Sequence, residues 1–279
     1  MVETKLRQLD RSLRAYGSVV VAFSGGADSA FLLAAAQRAL GASRVVAATA
    51  VSPSLPTAEL AAAAAFAEAL GVRHETPATD ELARPGYRDN APNRCYFCKS
   101  ELIETLRPLA TRLGIEHVAT GTNADDAAGG FRPGIRAARE RSAVTPLLDA
   151  GLTKADVRAA SRAWGLRTWD KPAAACLSSR VAYGVPVTSA ALARVERAET
   201  GLRDLFDRLG LAVRDLRVRD LGGNIARVEV DRARASDVSL LPETVRTVVA
   251  AGFSDAFVDP QGFRSGAMNE SLADAERWR

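Results

Sequence analysis

Two groups of residues in this chain have the types and spacing of reacting groups. The first is Ser24-Gly25-Gly26-Ala27-Asp28-Ser29, two glycines followed by a carboxylate and a hydroxyl. Between an apolar run and a helix, such a turn gathers free backbone N–H groups at one point. The helix dipole favours negative charge there, so the turn is predicted to hold a phosphate. It is not the G-x-x-x-x-G-K-[ST] phosphate loop, because it has no lysine. The second group is cysteine. Cys95 and Cys98 stand as C-x-x-C between Arg94 and Lys99, and Cys176 lies in DKPAAACLSSR, beside Ser178, Ser179 and Arg180. An odd number of cysteines argues against a disulfide framework and for free or metal-bound thiols.

The elements that must position these groups follow from pattern. Val19 to Phe23 is apolar without a break, which reads as a strand buried on both faces. Asp28 and Ser29 are good N-cap residues for a helix running to Leu40, with Gly41 as its stop. A strand over 44–51, a helix over 58–70 capped by Thr57, and a strand over 72–76 come next. Residues 77–94, polar and carrying Pro85, Gly86 and Pro92, read as a surface or active-site loop. That loop delivers the cysteine pair to the head of a helix that Pro108 should kink or end. A strand over 117–120 leads into Gly121-Thr122-Asn123-Ala124-Asp125-Asp126, a second carboxylate-rich turn, and Thr153 caps a helix to Trp164.

Alternating strands and helices imply a parallel, Rossmann-like α/β sheet, with ligands beyond the carboxyl ends of its strands. The turn at Ser24, the loop at 50–54 and the Gly121 to Asn123 loop then share one edge and can surround one nucleotide. From about Pro186 the texture changes. A helix over 189–209, strands over 212–219 and 225–230 joined through Gly222-Gly223-Asn224, a helix over 242–251 and a strand near 253–258 make a small α+β unit. Its simplest form is an antiparallel sheet with helices on one face. The expected organisation is 1–184 for the α/β domain, 185–265 for the α+β domain and 266–279 for a tail.

Composition excludes several classes. The chain has 279 residues, 47% of them hydrophobic and 25% charged, as in a soluble globular protein. It has no apolar run long enough for a membrane span and an N-terminus without a signal-peptide core, which together predict a cytoplasmic protein without a membrane partner. A net charge of +4 favours anionic partners but is too small for a nucleic-acid binder. Arginine supplies nearly all the basic residues. The only lysines are Lys5, Lys99, Lys154 and Lys171, and two of these lie close to the cysteines, a hint that an ammonium is wanted there.

The S-G-G-x-D-S turn resembles the pyrophosphate loop of the N-type ATP pyrophosphatases, which split ATP into AMP and pyrophosphate while activating a carbonyl carbon. With it come R-C-x-x-C-K at 94–99, G-T-N-A-D-D at 121–126, F-R-P-G at 131–134, W-D-K-P-A-x-A-C-L-S-S-R at 169–180, R-V-R at 217–219, A-R-V-E-V at 226–230 and G-F-R-S-G-A-M-N at 262–269. These eight motifs in order resemble the ATP-dependent sulfur transferases that mature the nickel-pincer cofactor of lactate racemase, over nearly the whole chain.

The resemblance implies an enzyme that adenylates the carboxylates of pyridinium-3,5-biscarboxylic acid mononucleotide and turns them into thiocarboxylates. Ser24, Gly25, Gly26, Asp28, Ser29, Gly121, Asn123 and Asp126 would bind ATP, with Asp28 and Asp126 holding Mg²⁺. Cys176 would attack the acyl-adenylate with Asp28, Ser179 and Arg180 in the catalytic set, its thiolate favoured by Arg180 and Lys171. Arg217 and Arg219, alternate residues on one strand face, match the substrate-phosphate arginines. Glu199, Glu229 and Asp237 match acidic, metal-associated positions near the second domain, and the resemblance also implies a homo-oligomer. Gly130 and Thr120 depart from the family pattern, each standing where an acid is usual.

Two sulfur sources stay open. Cys176 can give up its own sulfur, or Cys95, Cys98 and Cys176 can hold a [4Fe-4S] cluster that carries sulfide on its open iron. The cluster gives all three cysteines a use and is the favoured expectation. Zinc with His74 or His117 lacks ligand spacing. A tRNA-thiolating enzyme of the same superfamily and an inactive nucleotide-binding regulator are the alternative functions.

Overall fold

Val19–Ala22 (β1) is wholly buried, because it runs down the middle of a parallel sheet. The computed structural model describes residues 2–128, 132–172 and 175–264. Expectations attached to Gly130, Phe131, Ala173, Ala174, and Ser265 onward, including the 266–279 tail, lie outside these residues. The chain forms two units. One comprises residues up to Glu81 together with the stretch from Asn93 to 174, and the other comprises Leu82–Pro92 together with the chain from Ala175. The change of unit at 174/175 falls ten residues before the expected 184/185 boundary, so Cys176 and Arg180 go with the second unit.

In the first unit β1 is joined by Val45–Ala48 (β2), Arg73–Glu75 (β3) and His117–Thr120 (β4). All pairings are parallel and the order is β3-β2-β1-β4. Period-two alternation divides the strands between two cores. Val19, Val21, Phe23, Val45 and Ala47 face a cluster with the helices Val2–Tyr16, Ala27–Leu40 and Lys154–Ala163. Val20, Ala22, Val46, Ala48 and Val118 face Ile103, Leu106 and Leu109 of the helix Arg94–Arg112. The chain moves outward from β1 to β2 to β3, then returns to place β4 on the other side of β1. The loops after β1 and β4 therefore diverge, and ligands of open α/β sheets bind in the crevice between such loops.

Several local expectations are corrected. The helix after β1 starts at Ala27 with Gly26 as N-cap and no side-chain cap, so Asp28 and Ser29 lie inside its first turn. Gly25, at φ +71°, turns the chain sharply enough to start the helix early. Pro108 does not end Arg94–Arg112. It lies on the exposed face with Glu104, whose carbonyl loses its helical partner where water can replace it. That helix also begins before the cysteines, so Cys95 and Cys98 lie in its first turns. Thr153 caps as expected, in a capping box with Asp156.

The second unit contains Leu216–Asp220 (β5), Ile225–Val230 (β6) and Asp255–Val258 (β7) in the order β5-β6-β7. β5 and β6 form the expected hairpin, its turn residues Gly222, Gly223 and Asn224 all at positive φ. The sheet is mixed rather than antiparallel. The helix Pro242–Ala250 lies between β6 and β7, and this crossover makes the pair parallel. Residues 82–92, expected as part of a loop, include the short helix Pro85–Arg88 and the buried Asn90, whose Nδ2 donates toward the carbonyls of Val181, Ala182 and Val185 at 3.2, 2.8 and 2.9 Å. No helix among the described residues is long and apolar enough to cross a membrane.

Gly121, directly after β4, packs against the first turn of Ala27–Leu40 with no room for a side chain. A Cβ there would lie 2.9 Å from the Ser29 nitrogen and 3.0 Å from its Cα, both backbone atoms that cannot rotate away. Gly121→Ala is therefore expected to destabilise the protein by about 1 to 3 kcal/mol, as overpacking does, and to push the β4 loop off the turn. Thermal melting checks the first effect, and weaker nucleotide binding the second.

Candidate active site

The crevice between the β1 and β4 loops contains a cavity of about 320 Å³. Ser24, Gly26, Asp28 and Ser29 line it from the β1 turn, Thr49 from the end of β2, Gly121 and Asp126 from the β4 side, and Lys99 from Arg94–Arg112. The Ser29 hydroxyl donates to the Gly26 carbonyl at 3.1 Å and lies 3.2 Å from the Ser24 hydroxyl, which fixes the turn. Asn123 is buried and exchanges hydrogen bonds with Asp126. Its Oδ1 accepts the Asp126 N–H at 3.1 Å, and its own N–H donates to that carboxylate at 3.3 Å. The Thr120 hydroxyl lies 3.1 Å from that of Thr122. Thr49 donates its one hydroxyl proton to the Phe23 carbonyl at 2.7 Å, so His74 Nε2, 2.8 Å away, must carry a proton and donate to it. Burial holds the His74 pKa below its ordinary value of 6.5.

Asp28 is the most telling group. One carboxylate oxygen is paired with the Lys154 ammonium, a residue that sequence reasoning did not select, while the other is buried without a partner. Two carboxylates, Asp28 and Asp126, thus line the cavity, and one has an oxygen in need of a cation. Mg²⁺ usually takes one or two protein carboxylates together with substrate phosphates, so this donor set fits it. Lys171 is held by the Glu59 carboxylate at 2.6 Å and the Gly25 carbonyl at 3.0 Å, which makes it a brace for the turn.

In the second unit the stretch around Cys176 is held by its main chain. The Cys176 carbonyl accepts from the Ser179 N–H at 3.0 Å, the Ser179 hydroxyl at 2.7 Å and Arg180 Nη1 at 3.0 Å, and Arg180 also donates to the Ala175 carbonyl. Arg180 is buried and paired through Nε and Nη2 with both oxygens of Glu199, at 2.9 and 3.2 Å. Its charge is matched by that carboxylate, so it acts on the loop as a hydrogen-bond donor. Glu199 also accepts the Val218 N–H at 3.0 Å, tying the loop to β5.

Arg217 and Arg219 are both buried on β5. Arg219 is committed to Glu229 through Nε and Nη2, at 2.9 and 2.8 Å, and to the Ser179 carbonyl at 2.8 Å. Arg217 stacks on Phe263, 5.0 Å from the ring centre, and its pKa is lowered to about 10, first by desolvation and then by Arg180. A bound anion would relieve that strain. Glu199 and Glu229 thus serve as counter-ions to arginine, and Asp237 pairs with Arg234 at 3.3 Å on the surface. Cys95 is exposed, Cys98 and Cys176 are half-buried, and none forms a disulfide. Among the described residues, no three His, Cys, Asp or Glu side chains are grouped so as to hold a metal ion.

Comparison with known proteins agrees with this geometry. The NAD synthase family profile matches residues 2–91, the part that carries the phosphate turn. The pyridinium-3,5-bisthiocarboxylic acid mononucleotide synthase of Lactiplantibacillus plantarum is 34% identical over 98% of this chain and 96% of its own length. The chain belongs to that synthase's family. It is an ATP-using enzyme, and the synthase family's sulfur-transferase role extends to it at that level. An uncharacterized protein of Synechocystis is 44% identical over 98% of the chain and 99% of its own length. Another, from Methanocaldococcus jannaschii, is 26% identical over 63% of this chain.

The two arginines of β5 differ in what their loss should do. If Arg217 meets a substrate phosphate, Arg217→Ala removes charge-assisted hydrogen bonds worth about 1.5 to 3 kcal/mol and should raise KM for a phosphate-bearing substrate by roughly tenfold or more. Arg219→Ala leaves Glu229 buried beside fewer cations and should cost about 3 to 5 kcal/mol of stability. Steady-state kinetics and thermal melting of the two variants separate these effects.

Proposed function

We propose that this enzyme converts the carboxylates of pyridinium-3,5-biscarboxylic acid mononucleotide into thiocarboxylates, as a step in making a nickel-pincer cofactor. The observation that carries the reading is the cavity at the β1/β4 crevice, walled by the glycine turn and two carboxylates, in a chain similar over its full length to the pyridinium-3,5-bisthiocarboxylic acid mononucleotide synthase.

A carboxylate is a poor electrophile, and adenylation supplies the missing leaving group. The substrate carboxylate oxygen attacks the α-phosphorus of ATP, the bond to the bridging oxygen breaks, and pyrophosphate departs with the electron pair. The turn from Ser24 to Ser29 positions the phosphates with N–H groups and the helix dipole. Asp28 and Asp126 would hold Mg²⁺, which supplies charge neutralisation when bound. Arg217 grips the mononucleotide phosphate. Cys176 Sγ then attacks the acyl carbon and AMP leaves, giving a thioester. Loss of the Cys176 Cα proton with cleavage of its Cβ–S bond releases the thiocarboxylate and leaves dehydroalanine.

Cys176 is the sulfur source in this proposal. A [4Fe-4S] cluster on Cys95, Cys98 and Cys176 is the other source that the sequence allows, and no step here is routed through it. Cys95 and Cys98 lie near the start of one helix of the first unit, while Cys176 belongs to the second.

Asp28→Asn should cut pyrophosphate release by about 100-fold or more while the protein stays folded. Normal release from a folded variant removes the phosphate-turn assignment. For the sulfur, mass spectrometry after a single turnover should find Cys176 lighter by the mass of hydrogen sulfide. An intact Cys176 after many turnovers, in protein supplied with sulfide, makes it a carrier instead of a donor.

A further inference from the structure

Three donors converge on the carbonyl oxygen of Cys176. They are the Ser179 N–H at 3.0 Å, the Ser179 hydroxyl at 2.7 Å and Arg180 Nη1 at 3.0 Å. One donor satisfies a buried peptide carbonyl, and no step above uses the other two. We propose that Ser179 and Arg180 form an oxyanion hole for Cys176 itself, which stabilises the enolate formed when its Cα gives up a proton. The inference rests on the reading of Cys176 as sulfur donor, and it assigns these two residues to the C–S cleavage step instead of to adenylation or acyl transfer.

The chemistry needs such a group. A Cα–H beside a peptide carbonyl is a very weak acid, and its electron pair can leave Cα only by moving onto the carbonyl oxygen. The proton passes to hydroxide or another base from solvent, which has access because Ala175 is exposed and Cys176 is half-buried. The enolate then collapses. The Cα=Cβ bond forms, the Cβ–S bond breaks, and the electron pair departs with sulfur as the thiocarboxylate, so no oxidant or reductant takes part. The negative charge on the Cys176 oxygen exists only during this step. Donors aimed at that oxygen therefore bind the transition state more strongly than the resting peptide, which is the condition for catalysis.

The donors are fixed before reaction. Glu199, buried, occupies Arg180 Nε and Nη2 at 2.9 and 3.2 Å, and the planar fork then leaves Nη1 directed at the loop. Nη1 also donates to the Ser179 hydroxyl at 3.2 Å, and that hydroxyl donates to the Cys176 oxygen. Guanidinium, hydroxyl and carbonyl thus form a chain in which each hydrogen bond polarises the next. On its other side the turn Leu177–Arg180 is pinned by Tyr87, whose hydroxyl lies 2.5 Å from that of Ser178, both residues being buried. A turn that needed only to be held would be served by its main-chain bond from Ser179 and by the Tyr87 contact. The two added donors meet one atom, the atom on which charge develops.

Single-turnover reactions of the full chain with ATP, Mg²⁺ and pyridinium-3,5-biscarboxylic acid mononucleotide test the idea, in the parent protein, Ser179→Ala and Ser179→Thr. Pyrophosphate release reports adenylation, the mass of the acyl group on Cys176 reports the thioester, and loss of the mass of hydrogen sulfide reports elimination. Ser179→Ala should still release pyrophosphate and acylate Cys176, but it should form dehydroalanine about 100-fold more slowly, so that the acylated cysteine accumulates. Ser179→Thr keeps the hydroxyl and should restore elimination. Alkylation of Cys176 by iodoacetamide should proceed alike in all three proteins, since the thiol itself is not what the hydroxyl serves. Dehydroalanine formed at the parent rate in Ser179→Ala overturns the proposal. So does a variant that loses acylation and elimination together, because Ser179 then only shapes the loop. A parent protein whose Cys176 is never acylated brings down the sulfur-donor reading, and this inference with it.

Discussion

The crevice between the β1 and β4 loops depends on a missing methyl group. Because Gly121 has no Cβ, the chain leaving β4 can rest directly on the backbone of Ser29 and Asp28. Two loops that the strand order drives apart are thereby brought back into contact at their base. The phosphate turn is clamped on one side by Gly121 and on the other by Lys171, which holds the Gly25 carbonyl from the direction of Glu59. What remains open is the space above, where the uncapped first turn of Ala27–Leu40 presents its N–H groups. The Gly26 backbone and the side chains of Asp28 and Ser29 are positioned by these contacts before any ligand arrives, the condition under which fixed dipoles act with little reorganisation.

The second unit solves a different problem, that of holding Cys176 at the head of a short 3₁₀ turn. Leu177–Arg180 is a single 3₁₀ turn, and the carbonyls of Ala175, Cys176 and Ser179 around it accept from side chains. Arginine does this twice. Arg180 binds the carbonyls of Ala175 and Cys176, and Arg219 binds that of Ser179. Buried guanidiniums require counter-ions, which is why Glu199 and Glu229 lie beneath them. Such buried pairs rarely add stability over an apolar packing of the same volume. Their value here is geometric, since each arginine joins a loop carbonyl to a carboxylate of the sheet-and-helix frame.

Much of the frame was legible in the chain's own pattern. The apolar run after Ser18, the strand at His117, the hairpin at Gly222 to Asn224 and the Thr153 cap depend on nearest neighbours, and each lies where short-range rules put it. What escaped depends on the face a residue presents or on distant partners. Pro108 breaks a helix only if the freed carbonyl is buried, and sequence does not say which face meets water. The parallel β6/β7 pairing is a matter of connection, whereas composition speaks only to strand content. In the site, the glycine turn and Asp28 stand out from spacing, and both line the cavity. Lys154, 126 residues further along, does not stand out. The one available signal was the scarcity of lysine, and it drew attention to Lys99 and Lys171 beside the cysteines instead.

The placement of Asn90 bears on how the protein is made. Residues 82–92 interrupt the first unit but take their partners from a segment that begins only at Ala175. Asn90 and Val181, which it binds, are 91 positions apart. A ribosome adding roughly 5 to 20 residues per second leaves Asn90 waiting for about 5 to 18 seconds. Throughout that interval its carboxamide and the neighbouring Tyr87 are without their native burial, and a nascent-chain chaperone would meet them as exposed, unfinished surface. The same interleaving means that no single cut in the gene yields either unit whole. Recombination could not have joined the two as ready-made halves, and a researcher who truncates the chain at 174 would strand an eleven-residue piece of the missing unit inside the one retained.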